Sequence, residues 1–217
     1  MNAPEDCLRS TWFLDWEAPS VRDFSLRATE GATSDRERAT RLFYAVRDGY
    51  RYDPYTASHE AADYRASAIV ELSSTYCAPK AILLTAAARA AGIPARIGFA
   101  DVRNHLATPK LLERLGTDVF VFHGYSELHL DGKWLKAAPT FNLELCERFG
   151  VAAQEFDGTA DALLHPFDRE GRRHMEYVKE RGCFDDVPFD EMMRVLKLTY
   201  GDGVGQPSGE PDPLFQP

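Results

Sequence analysis

The stretch that most restricts the fold runs from Cys77 to Ala91. It reads Cys-Ala-Pro-Lys-Ala-Ile-Leu-Leu-Thr-Ala-Ala-Ala-Arg-Ala-Ala, with apolar residues on every side of a helix rather than along one stripe. A helix without a polar face has to be surrounded by the rest of the chain. Pro79 suits its first turn, where a missing N–H costs no hydrogen bond. Gly92 fits the position just past the last turn, and Pro94 prevents continuation. The expected fold is therefore organised around one central helix that begins at Cys77.

The flanking sequence says what surrounds it. Residues 1–30 mix aromatic and acidic side chains and read as an irregular or short-strand lead-in. Ser34-Asp35-Arg36-Glu37 has the spacing of a capping box. Behind it Ala39, Leu42, Phe43, Val46 and Tyr50 recur at helical spacing, predicting an amphipathic helix from about Asp35 to Gly49. After Pro94 the period changes to alternation. Arg96–Val102 and Asp118–Leu130 read as strands, and Asp131-Gly132 is a two-residue hairpin signal returning through Lys133–Lys136. A polar helical insertion is expected at about Thr108–Leu115 and a last helix at Phe189–Leu198, with a loop-rich region before it. Helix, buried helix and antiparallel meander in that order give an α+β class with segregated layers. A chain of 217 residues fits one domain, taken as residues 1–200 with a core at about 35–142, and residues 201–217 read as a mobile Gly/Pro/acidic tail.

Composition bears mainly on partners. The net charge of −9 argues against nucleic acid and against anionic membranes, both of which call for clustered Lys and Arg. No apolar run approaches the roughly 18 residues that span a bilayer. The N-terminal Met-Asn-Ala-Pro-Glu-Asp lacks a basic and apolar leader pattern, so a cytoplasmic location is the default expectation. Cys7, Cys77, Cys146 and Cys183 are far apart with no Cys-x-x-Cys pair, which speaks against a structural zinc site. His165 and Asp168 have no third candidate ligand nearby in sequence, and no metal or cofactor is expected.

Cys77 is the cysteine with a chemical context. The first residue of a helix sits among unpaired N–H groups at the positive end of the macrodipole, an environment that stabilises a thiolate. A nucleophilic thiol needs a proton acceptor, and histidine is the usual one. Of the six histidines, His123 follows the apolar run Val119–Phe122 and opens the strand that leads to the Asp131-Gly132 turn. His129, near the hairpin tip, reads as structural.

Two segments resemble the transglutaminase-like superfamily, the papain-like cysteine protease fold. Cys77-Ala78-Pro79-Lys80-Ala81, then Leu83-Leu84 and Ala91-Gly92-Ile93-Pro94-Ala95-Arg96, is similar to its nucleophile helix. His123-Gly124-Tyr125-Ser126-Glu127-Leu128-His129-Leu130-Asp131-Gly132-Lys133-Trp134 is similar to its histidine hairpin. The resemblance covers about residues 35–142. It implies a thioester acyl-enzyme on Cys77 with His123 moving the proton, a peptide, protein or small amide as substrate, and hydrolysis in preference to amine cross-linking. It also exposes a departure. The family's orienting Asp lies in an Asp-Pro-Thr run, and here the run is Ala137-Ala138-Pro139-Thr140, so Ala138 occupies that place. Asn142 is the first substitute to consider, with Asp157, Glu127 and Asp101 as alternatives. The alternative reading of the whole chain is a binding or scaffold module with an incomplete triad. The oxyanion donor is expected to be the Cys77 backbone N–H, joined by the Tyr76 side chain or by a group from the segment before it.

Overall fold

The structure is a computed structural model that describes residues 4–201 and 212–215. Its centre is α4, Cys77–Ala90, of which thirteen residues, Cys77 to Arg89, are buried. Three helices pack around it: α1 (Pro19–Ala28), α2 (Asp35–Gly49) and α3 (Ala66–Ile69). The remaining side is closed by an antiparallel sheet of β3 (Ala95–Asn104), β4 (Val119–Leu130), β5 (Lys133–Ala137) and β6 (Met175–Phe184), in the order β5-β4-β3-β6. A short parallel pair, β1 (Arg51–Tyr52) and β2 (Ser74–Thr75), delivers the chain to the start of α4. α5 (Pro109–Leu115) links β3 to β4, α6 (Leu143–Phe149) follows β5, and α7 (Phe189–Tyr200) closes the order.

Local sequence signals account for most boundaries. Ser34 caps α2 by accepting the N–H of Glu37. The Glu37 carboxylate turns to the N–H and hydroxyl of Thr33, at 2.8 and 3.0 Å, so the reciprocal half of the box lands one residue earlier than expected. At the β4–β5 hairpin Asp131 and Gly132 both take positive φ, 49° and 77°, as a two-residue turn of this hand requires. Thr108 caps α5 with Pro109 in its first turn.

The all-round burial of α4 takes in two cations. Lys80 Nζ donates to the carbonyls of Arg47 and Tyr50 at 2.8 Å each, satisfying the C-terminal end of α2. Arg89 donates to the carbonyls of Ala95, Arg9 and Asp185 at 2.9, 2.6 and 2.8 Å. One guanidinium fork thereby ties three separate chain segments to the end of the central helix.

Three expectations are corrected. Residues 19–28 of the presumed irregular lead-in form α1, started by Pro19 and fastened to α4 by Ser25 Oγ donating to Ala87 O at 2.9 Å. The loop-rich region contains β6, antiparallel to β3 along its length. β6 is an edge strand carrying Glu176, Lys179, Glu180 and Arg181, and charge of that kind blunts an edge while erasing the alternation that would announce a strand. Within the presumed tail, residues 202–211 and 216–217 lie outside the described residues, but Asp212 and Phe215 are buried. Asp212 accepts from the hydroxyls of Tyr55 and Thr108 at 3.1 and 3.0 Å. No described helix is long and apolar enough to cross a membrane.

Candidate active site

Cys77 and His123 line one cavity of about 110 Å³ between the start of α4 and the sheet. What brings them together is Gly124. A Cβ at this position would stand 2.8 Å from Ala78 Cα and 3.2 Å from the Cys77 carbonyl oxygen, so only glycine lets β4 lie this close to the helix start. At this close approach the Gly124 N–H favours the Cys77 thiolate, alongside the N–H groups of Ala78 and Cys77 itself. The histidine is the residue immediately before this glycine.

A bulge aims that histidine. Ala100 pairs with His123 and Val102 with Phe120, so the single residue Asp101 faces both Val121 and Phe122. Phe122 absorbs the extra length at φ 56°, a conformation few non-glycine residues adopt. Its N–H donates to Asp101 Oδ1 at 3.1 Å, and Arg181 grips the same carboxylate through two nitrogens at 2.5 and 2.8 Å. The Arg181 guanidinium also lies 4.4 Å over the Phe122 ring. On the other side the Tyr200 hydroxyl accepts from the Val121 N–H and donates to Val119 O, tying the end of α7 to the same strand.

The electrostatics of the pair differ from the sequence expectation. Burial pushes the Cys77 thiol up to about 11, outweighing the three N–H groups that favour the thiolate. Burial alone pushes His123 down to about 3. Its Nε2 is buried without a hydrogen-bond partner among the described residues, and its ring neighbour is Tyr177 at 6.0 Å in an edge arrangement. The resting pair is a neutral thiol and a neutral imidazole rather than a preformed ion pair.

None of the four candidates for the third member reaches the imidazole. Asn142 accepts the Tyr52 N–H at 3.0 Å and so holds the end of β1. Asp157 is exposed and closes its own turn onto Thr159, while Glu127 is paired with Arg96 at 2.5 Å. Asp101 comes nearest, acting on the backbone just before His123. Ala138 is fully buried in a small apolar cluster with Ala100 and Tyr125, its N–H bound to Ala162 O. Tyr76 lines the cavity, but its phenol lies 2.6 Å from that of Tyr64. Tyr64 gives its own proton to Ser58 O, which makes Tyr76 the donor between the two and commits the proton expected to meet an oxyanion.

Sequence reasoning missed Gly124, the Asp101–Arg181 clamp, and the cavity wall. The wall includes Tyr52, Phe120, Phe141, Thr140, His174 and Phe215. Phe215 packs between Tyr52, Tyr55 and Phe149 at centroid distances of 6.1, 5.9 and 5.8 Å. The His-Gly pair was the one local signal available; the other contacts join residues far apart in the chain. No group of three or more His, Cys, Asp or Glu suited to a metal ion occurs among the described residues.

A cysteine opening a buried central helix, and a histidine on the neighbouring antiparallel strand, define the transglutaminase-like α+β class. The profile of the transglutaminase-like superfamily matches residues 22–139, more than half of the chain, and the protein belongs to that superfamily. A proposed cysteine protease from Cytophaga hutchinsonii shares the fold, with a TM-score of 0.52 and 13% identity over 86% of this chain and 48% of that one. This chain thus spans about half of that protein's length. A proposed protease from Parabacteroides distasonis aligns with a TM-score of 0.39 and 15% identity, over 62% of this chain and 24% of that one. No curated protein matches the sequence.

Proposed function

We propose that the protein is a cysteine-dependent acyl-transfer enzyme acting on an amide or peptide bond, with water as the normal acceptor. The observation that carries this reading is the shared cavity wall: Cys77 and His123 both line it, Gly124 packs against the Ala78 backbone and the Cys77 carbonyl, and the residue before Gly124 is His123, whose Nε2 has no partner among the described residues. Cys77 forms an S–C bond to the acyl carbon while His123 takes the thiol proton. The C–N bond then breaks, and His123 returns the proton to the leaving amine. Water attacks the thioester with His123 again as base, releasing the acid and the thiol. The N–H groups of Cys77, Ala78 and Gly124 are the donors available to the oxyanion. With both groups neutral at rest, His123 acts as a base during attack and not as the cationic half of a standing pair.

A second reading, a binding or scaffold module, is favoured by Ala138 at the orienting position and by the lack of a partner for His123 Nε2 among the described residues. Mass spectrometry of the protein quenched with activated amide donors separates the two. A thioester on Cys77, absent in Cys77→Ala and slowed in His123→Ala, is the expected result. No adduct on Cys77 from any donor overturns the enzyme reading. Adding a primary amine tests the acceptor: amide product in place of acid would replace hydrolysis with amine transfer.

A further inference from the structure

The lining of the catalytic cavity has a consistent chemistry. It is built from aromatic and aliphatic side chains, among them Tyr52, Leu111, Phe120, Phe141, Leu196 and Phe215. Among the described residues, no Asp, Glu, Lys or Arg lines it. A charged ligand group placed here would lose its hydration with no counter-charge to replace it, a cost that excludes such groups. The volume of about 110 Å³ is somewhat below the roughly 150 Å³ that accommodates benzene in an engineered apolar cavity. That leaves room for a branched aliphatic group of about four or five carbons.

The cavity is apolar but carries unmet hydrogen-bonding capacity. Besides His123 Nε2, two of its lining residues hold buried polar atoms without a partner among the described residues: Thr140 Oγ1 and His174 Nδ1. Thr140 is 1% exposed and His174 5% exposed. They flank Phe141, whose ring stacks on His174 at 5.9 Å and 23°. Buried polar atoms are rarely left unpaired without a use, and a hydroxyl and a neutral imidazole lining one cavity match a neutral group that both donates and accepts. A secondary amide is such a group.

We propose that the acyl half of the substrate is a neutral, apolar amino-acid residue of leucine or valine size. Its side chain fills the cavity and its own N-acyl amide meets Thr140 and His174. The inference rests on the acyl-transfer reading for its chemistry, but not for its recognition, which needs no turnover.

The test therefore has a binding arm and an acylation arm. Binding of N-acetyl-leucinamide, N-acetyl-glycinamide, N-acetyl-glutaminamide and N-acetyl-lysinamide to the Cys77→Ala protein is measured by calorimetry or ligand-observed NMR. The leucine compound is expected to bind at least about ten-fold tighter than the other three, the discrimination that a few buried methylenes supply. Thr140→Val should weaken it by about three- to ten-fold, the size of one lost neutral hydrogen bond. Leu111→Trp should abolish the leucine preference. Leu111→Ala, which enlarges the cavity instead of filling it, should move the preference toward N-acetyl-phenylalaninamide and covers the case in which the tryptophan variant fails to fold. The acylation arm uses the matching p-nitroanilides on the unsubstituted protein. Leucine-selective binding without any thioester on Cys77 upholds the recognition proposal and defeats the acyl-transfer reading. A thioester formed equally well or better from the glycine, glutamine or lysine donor overturns the substrate class while acyl transfer stands. Absence of leucine binding to Cys77→Ala overturns the proposal outright.

Discussion

Arg89 and His123 are both ionisable, both buried, and set against opposite ends of the same helix. Their surroundings differ completely. Arg89 finds a carbonyl for each of its three nitrogens: one on the adjoining strand at Ala95 and two, at Arg9 and Asp185, far away in the chain. His123 has no partner for Nε2 among the described residues and carries only the cost of burial. Matched buried groups hold a fold together, whereas an unmatched one in a cavity wall is a stability liability that a ligand or a reacting proton can relieve. The helix thus has a closed end that fastens the chain and an open end that keeps unused hydrogen-bonding capacity beside a thiol.

Substitution can break this comparison at either end. His123→Leu should lower acyl transfer by about 10²–10⁴-fold, the usual share of a general base, while leaving stability at pH 7 unchanged or raising it by ~1 kcal/mol. Paired kinetic and denaturant measurements check this, and a strongly destabilised variant would show that His123 has a structural partner. Arg89→Met should do the opposite. It strands three carbonyls at about 1–3 kcal/mol each, so a loss of roughly 3 kcal/mol or more is expected, with any protein still folded keeping its Cys77 reactivity. Gly124→Ala should affect both ends of the comparison at once. Its methyl group would overlap the Ala78 backbone, costing about 1–3 kcal/mol in unfolding free energy and shifting β4, with His123, relative to the start of α4.

The smallest expected effect is in pH dependence. His123 has a folded-state value of about 3 against an ordinary 6.5, so protons bind the unfolded chain first. Its contribution to stability is complete above pH 6.5 and is lost as pH falls toward 3, amounting to about 2 kcal/mol by pH 5. His174, pushed down to about 4 mainly by burial, adds in the same direction. Stability measured from pH 7 to pH 5 should therefore fall, and His123→Leu should flatten the curve. Alkylation of Cys77 should rise about ten-fold per pH unit through neutrality toward the thiol value of about 11. A plateau below pH 7 would instead reveal a standing thiolate–imidazolium pair.

The sequence reading was most accurate where the signal is local. The Cys77 helix start, the Ser34 cap, the Thr108–Pro109 helix and the Asp131-Gly132 turn all depend on residues within a few positions of each other. Strand β6 was lost because its charges serve edge protection and not alternation. Asn142 was a reasonable substitute for the residue missing at Ala138, yet it is spent on the N–H of Tyr52, 90 positions away. Nothing within a short window of either residue announces that bond.

By itself, then, the sequence determined a buried helix opening with Cys77, a histidine hairpin after it, and the vacancy at Ala138. Helix caps, turn chemistry and apolar period are properties of neighbouring residues, and neighbours are what a sequence displays. Only the tertiary structure decided that burial would overrule the helix dipole at Cys77, that Asp101 and Arg181 would steady the strand at Phe122 instead of the imidazole, and that no Asp, Glu, Lys or Arg among the described residues would line the cavity. Each of those depends on desolvation and on contacts between segments far apart in the chain, quantities that exist only once the chain has closed on itself.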